Sequence, residues 1–477
     1  MVDFWVYDVA FLVIFTIWVA WFLYTRKHNL GKEGIIFMYR TQVGVRAINW
    51  FSDKFSRFLH SIKYLVIGVG VVIMGIIMWM VGQTLLIYVT RPEVTEVIKA
   101  PPIAPLIPYF PKLFGLESFF PPFYFTYFII ALAIVAFVHE FSHGIYMRLF
   151  KVKIKSTGIV FLGPILGAFV EEERKGFEKK KNLEQMTILA AGVFANVVFA
   201  LLFYLIYVSF FFSVFAPAGY QFNSYATGVF PLDQINNIGQ DIGERTVYFG
   251  GGVSTVNLTE VEVNNRSFLM DSRRKEFLLE EVNLSKYSIV LFDNAPAIKN
   301  ELKGAIIMAN DVEIKHHGDL QRFMQDTNPG EVVKFTTIYE EELIEYNIEL
   351  DNHPSGELNI GYLGVGHSEP RRNGVVGGLY NAVMFFKDSS TYYEPTFDGN
   401  FAYFILHLLW WIMVINFLVA LFNMLPLGIL DGGRFFYLLL LSITGSDSFA
   451  KNAFKFITYF ILFMFLLLML VWIFRVF

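Results

Sequence analysis

The chain has 477 residues, of which 55% are hydrophobic and 53 are phenylalanine, and its formal net charge is −4. Several apolar runs exceed the roughly 18 residues that argue for a transmembrane helix, which excludes an ordinary soluble protein. Cysteine is absent, excluding disulfides, thiolate metal ligands and a cysteine nucleophile. The net charge says little about partners when so much of the chain sits in lipid, and no nucleic-acid partner is expected.

Asp3 to Tyr24 lacks a basic n-region and a small-residue cleavage site, so it reads as a retained helix rather than a signal peptide. Six spans are expected in all, at about 4–24, 64–89, 122–149, 186–215, 401–424 and 454–475. Between the fourth and fifth, residues 217–398 are polar and charged, with β-like runs SIVLF (288–292), GAIIMA (304–309) and VVKFTTI (332–338). The expected fold class is a multi-pass α-helical membrane protein with a mixed α/β insertion.

Lysine and arginine set the orientation. Residues 25–63 and 150–185 hold eight basic residues each, whereas 91–121 hold three, Arg91, Lys99 and Lys112. Alternation over six spans places the 25–63, 150–185 and 440–453 loops in the cytoplasm, and both termini and the insertion outside. Segment 155–173, KSTGIVFLGPILGAFVEEE, is too short to cross as a helix and is broken by Gly158, Gly163, Pro164 and Gly167. It suits an apolar hairpin dipping into the membrane from the cytoplasmic side, the alternative being an interfacial loop.

The third span ends in FVHEFSHGIY, Phe137 to Tyr146. His139 and His143 are one helical turn apart on one face, so both imidazoles reach one ion, and Glu140 lies beside the first. Ionisable groups in a spanning helix are expensive and default to function; the plain alternative is two packed histidines and a snorkelling Glu. A catalytic zinc site needs a third protein ligand. NMLPLGILDGG, Asn423 to Gly433, offers Asp431, the only acidic residue between Asp398 and Asp447. Pro426 should disrupt the helix there. Alone, Asp-Gly-Gly is more often a turn; beside HEFSH it reads as a ligand.

HEFSH on one span and N-x-x-P-x-x-x-L-D-G-G on a later one resemble the site-2 protease family of intramembrane zinc metalloproteases. The order of parts is also similar: HExxH span, membrane-dipping hairpin, second core span, extracytoplasmic insertion, LDGG span. The resemblance implies one zinc ion bound by His139, His143 and Asp431, with Glu140 as general base and then proton donor. The family's G-x-x-x-N matches Gly192 and Asn196. Asn196 and Asn423 would support the substrate backbone or the tetrahedral intermediate, with helix packing as the alternative. Gly163 and Gly167 of the hairpin would help hold an extended substrate by strand addition. The implied domains are 1–121, two N-terminal helices and loops; 122–216, the first part of the catalytic core; 217–398, the insertion; 399–440, the LDGG span; and 441–477, a last helix.

Residues 293–338 are similar to a PDZ domain in the order strand, Asn310–Asp311 turn, helix, Pro329–Gly330 turn, strand. Their peptide-binding loop is poorly marked, so size exclusion and recognition of a peptide end both stand for the insertion. His316 and His317 read as surface, His407 as packed or cavity-facing, and Asn257, Asn265 and Asn283 form sequons. The expected substrates are single-span membrane proteins already cut outside the membrane, and the expected setting is a prokaryotic, archaeal cell membrane. A transporter or proton channel would spread polar groups over several spans and show internal repeats, and a dead scaffold would have lost a ligand or the Glu. Neither pattern is present.

Overall fold

The computed structural model describes residues 4–90, 101–102, 106–116, 120–249, 252–275, 287–354, 359–368, 378, 381 and 383–476. Arg91, Lys99 and the Asn283 sequon lie outside them. Two compact units result: Met1–Phe211 with Asn400–Phe477, and Phe212–Gly399. The second covers the stretch expected as an insertion.

Among the described residues of the chain, six helices are long and apolar enough to cross a membrane: α1 (Phe4–Thr25), α3 (Ser56–Thr90), α5 (Phe125–Leu149), α7 (Asn182–Val214), α10 (Gly399–Asn423) and α12 (Asp447–Val476). The protein is an integral membrane protein. Half of the apolar window of α5 and 56% of that of α10 is buried, against 11% for α1 and 17% for α12. The third and fifth spans are therefore the centre of the bundle, and the first and last turn most of their surface outward. Helix α3 joins the centre: Val66, Ile73, Met74 and Ile77 pack with Ile188, Ala190, Met424 and Phe435. A Cβ at Gly70 would lie 2.7 Å from the Met424 methyl and 3.0 Å from Ala190, so the glycine marks a close approach of the helices here.

Shorter helices complete this unit: α2 (Val43–Lys54), α4 (Phe110–Leu113), α6 (Arg174–Glu178) and α11 (Asp431–Thr444). The break expected at Pro426 divides the LDGG region, 399–440, into two helices. Helix α10 stops at Asn423 and α11 starts at Asp431, with Pro426, which has no N–H to donate, in the connection.

Segment 155–173 forms a β-hairpin, β3 (Ile154–Leu162) and β4 (Ile165–Glu172), closed between Leu162 and Ile165. Gly163 turns it with φ +59, a left-handed conformation that favours glycine. The hairpin is not alone. The loop after α1 supplies β1 (Leu30–Glu33) and β2 (Ile36–Thr41), giving a four-stranded antiparallel sheet in the order β1-β2-β3-β4. Glu171 rivets it, accepting from Ser156 on β3 at 2.8 Å and Arg40 on β2 at 3.3 Å. With β3 paired on both sides, β4 is left as an edge.

The Phe212–Gly399 unit is built from two larger sheets. One is five-stranded, in the order β7 (Thr227–Pro231), β11 (Ser288–Asp293), β10 (Arg266–Asp271), β9 (Gly252–Val263), β8 (Ile235–Phe249). The other runs β15 (Glu342–Glu349), β14 (Val332–Tyr339), β12 (Ala305–Ala309), β5 (Phe215–Tyr220), β19 (Thr391–Pro395), with β13 (Val312–Glu313) paired to β12. Strand β14 shows why: Val333, Phe335 and Thr337 are fully buried while the alternate positions Val332 and Lys334 are exposed, the period of a half-buried strand. The expected order over 304–338 is present as β12, a turn with Asn310 at φ 51, α9 (His317–Gln325), a turn with Gly330 at φ 80, and β14. A short α8 (Pro296–Lys299) precedes it. Of the five-stranded sheet only β11 was expected, as the run SIVLF (288–292). Its β9–β10 connection is a two-residue hairpin in which Asn264 and Asn265 both have positive φ, so one expected sequon asparagine holds a tight turn. Asn257 lies in β9.

Candidate metal centre

Helix periodicity puts His139 and His143 on the buried side of α5, and the break before α11 brings Asp431 to the same point. His139 Nε2 and His143 Nε2 are 3.0 Å apart, and Asp431 Oδ2 lies 3.1 Å from the first and 3.2 Å from the second. Four-coordinate zinc with bonds of about 2.0–2.1 Å holds its ligands about 3.3 Å apart, so this triangle fits one face of a tetrahedron.

Donor chemistry fits as well. His143 Nδ1 faces the Ile188 carbonyl at 2.7 Å. A carbonyl only accepts, so Nδ1 carries the proton and the neutral ring presents a lone pair at Nε2. His139 Nδ1 faces the Asn196 amide nitrogen at 3.1 Å, while Asn196 Oδ1, fully buried, has no partner among the described residues. Rotating that amide by 180° gives the oxygen a partner in a His139 Nδ1–H and frees His139 Nε2 as a second lone pair. Two lone pairs and a carboxylate then converge on one point, which repels unless a cation occupies it. His139, His143 and Asp431 are the group among the described residues that could hold a metal ion in this way.

Glycines make room for the cluster. A Cβ at Gly192 would lie 2.5 Å from His143 Nε2 and 2.7 Å from His139 Cε1. At Gly432 and Gly433 a Cβ would strike the backbone of Met424 and Leu427, so both let α11 start directly against the connection that precedes it. Thr458 on α12 donates to the Pro426 carbonyl at 3.1 Å and steadies that connection.

Glu140 is half-buried and points elsewhere: its Oε2 accepts from Val170 N on β4 at 3.1 Å. The carboxylate adjacent in sequence to the first ligand is thereby tied to the edge strand. Two residues that sequence reasoning missed stand close by. Arg434, three positions after Asp431, lies over the Phe177 ring at 4.2 Å and donates to Gln185 at 3.3 Å. Burial pushes the Glu172 carboxyl up from its usual range, with Arg434 opposing that shift. Their signal was available in the charged ends of EEE and LDGGR, where charge adjoins apolar sequence.

The expected supporting residues separate. Asn196 meets a histidine, Asn423 ends α10 half-buried, Gly163 forms the hairpin turn, and Gly167 pairs with Val160 within the hairpin. His407 on α10 packs beside Tyr127 and Tyr403, and His316 and His317 are exposed.

An uncharacterized protein of Methanocaldococcus jannaschii is 30% identical over 198 residues, 40% of this chain and 48% of that protein. The chain thus spans about half the length of this curated relative. Residues 127–347 and 383–469, which include both histidines, Glu140 and Asp431, match peptidase family M50. The chain therefore belongs to peptidase family M50.

Proposed function

We propose that the protein is a zinc-dependent intramembrane endopeptidase that hydrolyses peptide bonds within the transmembrane segments of single-span membrane proteins, after a first cut outside the membrane. The observation that carries this reading is the convergence of His139, His143 and Asp431 on one point, with Glu140 next to His139 in the chain and bonded to an edge strand.

His139, His143 and Asp431 would hold the ion. When bound, zinc supplies Lewis acidity to water and to the scissile carbonyl. Glu140 takes the proton from the attacking water and passes it to the leaving nitrogen. A helical substrate hides its amides, so the cleaved segment must unwind. The free edge of β4 offers main-chain hydrogen bonds that lipid cannot, and strand addition there would lay the peptide beside Glu140. Asn423, Gly163 and Gly167 serve that extended peptide.

The counts of basic residues support an active site displaced toward the cytoplasm and an insertion outside. The setting on this reading is a prokaryotic, archaeal cell membrane. The insertion is PDZ-like over 293–338 and acts by size exclusion, since no peptide-binding loop is marked. The deciding experiment compares the native protein with Glu140→Gln, measuring zinc per chain and cleavage of a single-span model substrate. The variant should keep the metal and lose cleavage; near-native cleavage would sink the mechanism.

A further inference from the structure

Helix α5, which carries His139, Glu140 and His143, starts without a cap of its own: Tyr124 at the N-cap position makes no side-chain hydrogen bond to the first turn. The first N–H groups of a helix have no intrahelical partner, and within a membrane no water replaces one. Here α1 supplies the acceptor. Asp8 Oδ2 accepts from Phe125 N at 2.8 Å and from the Tyr109 hydroxyl at 2.6 Å. Asp8 Oδ1 accepts from Thr126 N at 2.8 Å and Thr126 Oγ1 at 2.6 Å. Four donors saturate a carboxylate that is 1% exposed.

Within α1 only Asp8 and Val19 are buried. An ionisable side chain inside a span is costly and needs a reason. Around it, Phe4 packs on Tyr124 at 4.7 Å, and Phe11 and Phe15 on Phe125 at 5.9 and 5.7 Å, closing the site against solvent. The stretch before α5 is pinned twice more. Tyr109 N donates to the Phe123 carbonyl at 2.6 Å, and Trp411 Nε1 of α10 donates to the Pro122 carbonyl at 2.9 Å. Helix α10 leads through the Pro426 connection to Asp431. The start of α5 is thus referenced both to α1 and to the element that delivers the third ligand.

We propose that Asp8 is a positioning residue: it caps the metal-binding helix in trans and sets the height and rotation at which His139 and His143 meet Asp431. Helix α1 is on this account a working part of the enzyme rather than a peripheral anchor. A rigid helix carries a shift at its first turn to its far end, so a lost cap reads out at the ligands.

The test uses the full-length protein with Asp8→Ala, Asp8→Asn, and Asp8→Ala combined with Tyr124→Ser, which places a serine cap on α5 itself. Hydrogen exchange of the Phe125 and Thr126 amides reports the cap directly. Chelator competition for zinc and the split between kcat and KM report its consequence. Asp8→Ala should lose protection at both amides, bind zinc severalfold more weakly, and lose kcat with little change in KM. Asp8→Asn, which keeps volume and part of the acceptor set, should fall between, and keeps the question open to test if the alanine variant does not fold. Tyr124→Ser should restore zinc affinity and kcat to the Asp8→Ala protein. Native zinc affinity and kcat in folded Asp8→Asn, or no recovery with Tyr124→Ser, would overturn the proposal. The proposal rests on the metalloprotease reading only for its functional readouts: a native protein without zinc would refute that reading and leave the exchange result standing.

Discussion

The two units of this chain treat polar side chains in opposite ways. In Phe212–Gly399 they alternate with apolar ones along strands, as Lys334 does between Val333 and Phe335, and water takes what the fold does not use. In the membrane unit several buried polar side chains converge on partners: His143 on Ile188, His139 on Asn196 and Asp431, Asp8 on the first turn of α5. The difference teaches where chemistry is easiest to find. A polar atom in lipid needs a partner or a ligand, so each one narrows the function, whereas a polar atom on a solvated strand narrows nothing.

That contrast can be sharpened by experiment. The largest quantitative effect is expected at Asn196. If its amide fixes the His139 tautomer, Asn196→Ala should weaken zinc binding by about 10–100-fold, whereas Asn196→Asp, which still accepts from His139 Nδ1–H, should retain most of it. Equal zinc affinity across all three proteins, measured by chelator competition, would return Asn196 to simple packing. Next comes the insertion. All three candidate ligands lie in the other unit, so replacing 220–395 with a flexible linker should leave zinc content unchanged and preserve cleavage of a minimal single-span peptide. Substrates with large outer domains should gain cleavage severalfold if the insertion excludes by size, and lose it if the insertion recruits. Failure to cleave the minimal peptide in a folded, zinc-loaded protein would make the insertion part of the active site. The smallest perturbation is topological: single cysteines at the exposed positions Arg57 and Ser254 should leave activity intact. An impermeant thiol reagent on intact cells should label position 254 and spare 57, and the reverse pattern would invert the molecule.

Much of the membrane unit was legible because its signals are local. Six apolar runs, an i, i+4 histidine pair and a lone aspartate after a proline each show within a dozen residues. The 155–173 stretch announced a break in helix through its glycines. Strand β2 escaped notice because Ile36–Thr41 is held by β3, more than a hundred residues later, and β1 (Leu30–Glu33) by its pairing with β2. Most of the five-stranded sheet escaped for a different reason, its β8, β9 and β10 being neighbours in sequence but polar on one face and specified by register rather than by composition. Asp8 is different. A single acidic residue in an apolar span was visible, and the rule that such residues default to function was applied to HEFSH but not to α1.

The most direct test of the account is the zinc content of the purified full-length protein, measured beside Asp431→Asn under the same chelator challenge. The account predicts about one zinc per native chain, as expected for a single tetrahedral site, and a marked loss from the variant, whose amide keeps the size of the side chain without its charge. A native protein that cleaves its substrate without zinc, or a variant that stays as fully loaded as the native chain, would contradict it.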